Sequence, residues 1–145
     1  MPETPRDDAW LGYLAQVETG FDGLRALVVQ LGGLLLLELS RSRLLVQSEP
    51  LLPVLEALGE NGETLRGMPV PPVCRHAHRH LLACQSALED VVRQCQAGRA
   101  ARPAARWRLE DACRHLRWAS DALPGLGLVN LSEACCACHP VSPQQ

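Results

Sequence analysis

A chain of 145 residues with 14 basic and 16 acidic side chains carries a formal net charge of −2. That is the length of about one domain, and the charge lacks the domain-wide basic excess that nucleic-acid binders show. Leu supplies 26 residues, Phe and Tyr one each, and Ile and Lys none. Strands draw on β-branched and aromatic side chains, so the composition argues for an all-α fold.

Thr4-Pro5-Arg6-Asp7 reads as a helix start, with Thr4 as N-cap and Pro5 in the first helical position. Trp10, Leu14, Val17, Phe21, Leu24, Val28, Leu31 and Leu35 follow at alternating steps of four and three. That spacing lines one stripe of a helix that packs lengthwise against others. The helix can run to Val46, and a kink or break is expected at Gly32-Gly33, with Gly20 and Gly23 as softer positions. The stretch LGGLLLLEL is too short to span a bilayer and is expected in the core.

Ser48-Glu49-Pro50 opens a second, short helix, and Gly59 to Pro72 reads as a loop. A third helix, from Val73 to Ala97 and closed by Gly98, carries Ala77, Leu81, Cys84, Leu88, Val91 and Cys95 on one seam. Pro103 opens a fourth, with Ala105, Leu109, Ala112, Leu116, Ala119 and Leu123 on its seam, ending before Pro124. Glu89 with Arg93 and Glu110 with Arg114 are i,i+4 pairs of the favoured orientation. The predicted architecture is an antiparallel helical bundle of three long helices and one short one over residues 1–123. Residues 124–145 read as a partly ordered, Cys-containing tail.

Charge is uneven along the chain. Residues 1–74 hold five Arg against ten acidic residues, and residues 75–145 hold nine against six. Packing of the two halves against each other is the expected use of this asymmetry, with an acidic partner as the alternative. Arg99, Arg102, Arg106 and Arg108 form a run that could meet an anion or such a partner.

Two further constellations could carry chemistry. In CRHAHRHLLAC, Cys74 with His78, His76 with His80, and His80 with Cys84 are i,i+4 pairs, the spacing at which two ligands can share a metal. Cys74, His78 and His80 with Cys135 and Cys138 of the tail are therefore a candidate zinc set. Successive histidines two apart fan around a helix, however, and no CxxC knuckle is present. The other constellation is Trp107, Asp111, Arg114 and Trp118, which share a helix face roughly opposite the Leu109–Leu116 seam. Trp and Arg are the residues most enriched at interface hot spots.

No phosphate loop, nucleophile elbow or His-Glu zinc motif occurs. Cys84 with His80 could form a thiolate–imidazole pair, but Cys84 falls on the seam, where a thiol is inert. The seven Cys are an odd number, and the start MPETPRDDAW lacks the apolar stretch of a secretory signal. Free thiols in a reducing, intracellular setting, cytoplasmic or nuclear, are expected. The function expected is that of a non-enzymatic adaptor or assembly subunit, without cofactor, binding other proteins or a second copy of itself through helix packing. A zinc-binding regulatory protein is the alternative.

Overall fold

In the computed structural model of the chain, residues 5–41, 51–98 and 102–123 are described. They form four α-helices: α1 (Pro5–Arg41), α2 (Leu51–Gly67), α3 (Arg75–Gln96) and α4 (Pro103–Ala122), with a 3₁₀ turn at Pro72–Cys74 before α3. The fold is all-α, as predicted. Thr4, residues 42–50, Arg99 and the tail 124–145 lie outside the described residues.

The order of contacts fixes the topology. Gly20 and Gly23 of α1 face Leu65 and Asn61 of α2. His78 and Gln85 of α3 reach the Leu65 and Leu58 carbonyls of α2. His80 and Asp90 of α3 meet His115 and Arg108 of α4. In each pair the numbers rise along one helix as they fall along the other, so the helices run alternately up and down.

The core is where the seams meet. All six seam residues predicted on α3 are buried, and so are Ala105, Ala112, Leu116, Ala119 and Leu123 on α4. On α1 the buried stripe lies to one side of the predicted heptads. Val17, Phe21, Leu24, Leu31 and Leu35 are buried as expected, but Tyr13, Leu27 and Leu34 are buried with them, and Trp10, Leu14 and Val28 are only partly covered.

Two expectations are corrected. First, α1 is one 37-residue helix, about 55 Å long at 1.5 Å per residue, without interruption at its glycines. Gly20 serves close approach instead, because a Cβ there would stand 2.8 Å from Leu65 Cδ2. Second, the segment read as a loop from Gly59 is helical to Gly67, making α2 a 17-residue helix. Gly62 sits against α3, where a Cβ would stand 2.7 Å from Gln85 Nε2. The irregular connection shrinks to residues 68–71.

The helix ends follow local chemistry. Gly98 adopts φ 71°, the left-handed conformation that suits glycine past a helix end. Its N–H donates to the Cys95 carbonyl at 3.1 Å. Pro103 opens α4 at a position where a missing N–H costs nothing.

Residues 8–37 of α1 are long and apolar enough, by length and composition, to cross a membrane. In this fold Leu31, Leu34 and Leu35 of the LGGLLLLEL stretch are buried in the bundle, while Leu36 and Leu37 are exposed. Arg93 still helps to lower the pKa of Glu89, as the expected i,i+4 pair implies, but the direct ion pairs form with other partners. Glu89 binds Arg66 of α2 at 2.6 Å, Arg93 binds Asp90, Glu110 binds Arg106 at 3.0 Å, and Arg114 binds Asp111. The Arg66–Glu89 pair joins the two halves with the charges opposite to those expected, an Arg of the acidic half meeting an acid of the basic half.

Candidate functional site

The α3–α4 hairpin carries the predicted contact face. The α4 seam turns inward, so a side chain half a turn away must point outward. Trp107 is 64% exposed and Trp118 47% exposed, with exposed Arg114 and half-buried Asp111 between them. The structure thus places all four predicted residues on the outside of the bundle.

Charged side chains between the two Trp form a chain that spans both helices. Arg93 binds Asp90, whose Oδ2 also accepts from Arg108 Nε at 3.0 Å and Nη2 at 2.5 Å. Arg108 Nη1 then donates to Asp111 Oδ2 at 3.2 Å, and Arg114 donates to Asp111 Oδ1. Desolvation pushes the Asp111 carboxyl up, but Arg108 and Arg114 outweigh it and hold it below its ordinary value. The same network engages two of the four Arg of the basic run. Arg108 is turned onto two carboxylates, Arg106 binds Glu110, Arg102 stands exposed, and Arg99 lies outside the described residues.

Beside Trp118 lies a cluster of imidazoles. Its ring centroid is 5.3 Å from that of His80 and 5.2 Å from that of His115, the latter edge-on. His80 Nδ1 and His115 Nδ1 are 3.0 Å apart, so one nitrogen carries the hydrogen and the other accepts it. His76 packs edge-on against His80 at 4.8 Å. His76, His80, Trp118, Asp121 and Ala122 line an open groove of about 470 Å³. Burial, then repulsion from His76 and His115, lowers the pKa of His80 below its ordinary value.

The Cys/His set read from CRHAHRHLLAC does not come together. His78 is buried, and both its ring nitrogens are taken. A carbonyl can only accept, so Nε2–H donates to the Leu65 carbonyl at 2.9 Å, and Nδ1 accepts from the Tyr13 hydroxyl at 2.9 Å. Burial lowers the pKa of His78, against the pull of that carbonyl. Cys74 is buried and its pKa is raised by desolvation, while His80 points to α4 instead. Cys135 and Cys138 lie outside the described residues. Among the described residues no three His, Cys, Asp or Glu side chains stand gathered to hold an ion.

Cys84 is buried, and desolvation pushes its thiol up to about 12. It is not a thiolate at neutral pH, and the imidazole that might have activated it is engaged by His115.

Reading the sequence alone missed the pairing of His80 with His115. The signal was the hairpin register. If Asp90 meets Arg108 across an antiparallel pair, then ten residues back along α3 and ten forward along α4 bring His80 to Trp118 and its neighbour one turn away, His115. Compared with known proteins, the chain matches no family model, no curated protein and no solved structure.

Proposed function

We propose that this chain is a non-enzymatic, intracellular adaptor or assembly subunit that binds another protein through the outward face of α4. One observation carries the reading: the inward seam of α4 is buried without Trp107 and Trp118, yet Trp107 and about half of Trp118 remain exposed on one face. Eleven residues separate them, about 16 Å along the helix axis, a span suited to a partner helix laid across α4. The Asp90–Arg108–Asp111–Arg114 chain holds polar groups in place between these two anchors. Partly preordered side chains lose less conformational freedom on binding.

The test is an affinity capture from source cells, comparing the wild type with a Trp107→Ala/Trp118→Ala variant whose helicity is verified by circular dichroism. A stoichiometric partner held by the wild type and lost from the folded variant supports the reading. Retention of every partner by the variant refutes it, as does unfolding of the variant, which would make the face part of the core. Light scattering over a range of concentrations identifies a second copy of the chain as the partner.

A further inference from the structure

We infer that the outward furrow of the α3–α4 hairpin seats an acidic amphipathic helix, whose apolar side chains rest on Trp118 and Trp107 while its carboxylates meet Arg75 and Arg79. The inference rests on the reading of α4 as the contact face and adds the chemistry of the partner.

The apolar part of the surface is already in place. Trp118 and Ala122 of α4 give apolar walls to the open groove that they share with His76 and His80 of α3. Neighbouring helices pack with their axes about 8–10 Å apart, so a third helix seated over the furrow touches side chains of both. Laid along α4, it reaches Trp118 at one end and the exposed Trp107 at the other.

The charged part lies on the α3 rim. Arg75 and Arg79 are each two residues from Ala77 of the buried seam, a rotation of about 200°. Both therefore point away from the core, and both are exposed. They stand one helical turn apart, and each directly precedes a histidine of the groove. Among the described residues neither makes an ion pair. No acidic residue occurs from Arg75 to Leu88, so this part of α3 offers them no carboxylate of its own. Toward α4, the chain of Arg93, Arg108 and Arg114 with Asp90 and Asp111 keeps one positive charge in excess. Over the described hairpin, eight Arg face five acidic residues, so the surplus is positive where the aromatic anchors are exposed. Two guanidinium groups one turn apart match two carboxylates one turn apart on a partner helix, and each fork can hold a carboxylate by two parallel N–H···O bonds.

The carboxylates on the outward side of α4 favour an acidic peptide over a nucleic acid. Asp111 and Asp121 stand on either side of Trp118 along that face. DNA carries one charge per about 1.7 Å of its axis, so a phosphate backbone laid here would press charge against both. A peptide can place its carboxylates opposite Arg75 and Arg79 alone.

The test uses the full-length chain and two fluorescein-labelled peptides, each a helix about 16 residues long. Both carry Leu at helical spacing on one face. One has Glu pairs at i,i+4 along the edge of that face, and the other has Lys in their place. Fluorescence anisotropy should show saturable one-to-one binding of the Glu peptide, with the Lys peptide weaker by at least about tenfold. Arg75→Glu/Arg79→Glu should weaken the Glu peptide by at least about tenfold and turn the preference toward the Lys peptide. The helix dipole favours acidic residues at the start of α3, so this variant should keep its helicity. Raising the salt from about 0.1 M to 1 M shortens the Debye length from about 10 Å to 3 Å and should narrow the preference. The inference is overturned if the two peptides bind alike, if the Arg variant keeps the Glu preference, or if a duplex oligonucleotide binds more tightly than the Glu peptide. Trp107→Ala/Trp118→Ala separates it from the reading on which it rests. Binding lost by the Trp variant and kept by the Arg variant overturns the acidic partner and leaves the contact face standing. Binding unchanged in the Trp variant refutes the contact face itself.

Discussion

The glycines of α1 and α2 allow a test in which one substitution has opposite signs at two positions. Replacing Gly by Ala inside a helix gains about 1 kcal/mol of intrinsic propensity. At Gly33 a Cβ would meet nothing within 4 Å, so Gly33→Ala should stabilise the fold by roughly that amount. At Gly62 a Cβ would stand 2.7 Å from Gln85 Nε2 and 3.2 Å from Gln85 Cδ. Gln85 is fully buried, and its Nε2 donates to the Leu58 carbonyl at 2.8 Å and to Glu89 Oε1 at 3.0 Å. The added methyl must displace that amide. A buried polar group left without its partner costs about 1–3 kcal/mol, and overpacking costs about 1–3 kcal/mol more. The loss outweighs the propensity gain, and Gly62→Ala should destabilise by about 1–5 kcal/mol net. Arg66, also near the added atom, is exposed and can swing aside. Urea unfolding followed by circular dichroism at 222 nm measures both variants, with the slope checked for constancy so that the midpoint reports stability. If Gly62→Ala moves the midpoint upward as Gly33→Ala does, Gln85 is not held between α2 and α3 as described.

Two further outcomes follow from the same contacts. Burial holds the folded-state pKa of His78 below 6.5, and that of His80 is lowered as well, so both are neutral in the fold while the unfolded chain takes up protons near pH 6.5. The stability they contribute is present above pH 6.5 and is lost as pH falls from there through the folded-state values. Urea midpoints at pH 7.5, 6.0 and 5.0 should decline in that order, and a flat profile would refute the assignment. Tyr13→Phe, which strips His78 Nδ1 of its donor, should cost about 1–3 kcal/mol at pH 7.5. Leu88→Ala and Leu116→Ala, on the buried seams, should each cost about 2–5 kcal/mol by thermal or urea unfolding. The exposed Trp107→Ala should stay within about 0.5 kcal/mol of wild type.

What could be read from the sequence was whatever repeats. The seams of α3 and α4 recur at steps of three and four in residues that are all apolar, and the structure buries nearly every one. On α1 the truly central row includes Gly20, which adds nothing to an apolar pattern. The eye therefore follows the neighbouring row through Trp10 and Leu14, although Leu65 packs where the Gly20 side chain is missing. Gly59, Asn61 and Gly62 misled for the same reason. These residue types mark turns when read locally, yet here Gly62 is small because another helix lies against it. Close approach between helices is a property of two segments and cannot be seen in either one. The exposed Trp face of α4 was legible because it is a periodicity out of phase with its own seam. His115 was not, because its partner lies 35 residues away in sequence.

The spacing that prevents CRHAHRHLLAC from wrapping around one metal ion explains what its histidines do instead. A step of two residues turns the helix by about 200°, so His78 and its neighbours His76 and His80 must face opposite sides of α3. On one side, His78 meets Tyr13 of α1 and the Leu65 carbonyl at the end of α2, and with both nitrogens used it has no bond left to offer. It acts as a polar peg that registers three helices. On the other side, His80 meets α4 at an open groove, with His76 one turn away and its hydrogen bond made only to another imidazole. The His80–His115 bond lies beside an open groove, whereas the His78 bonds cannot be exchanged without opening the core.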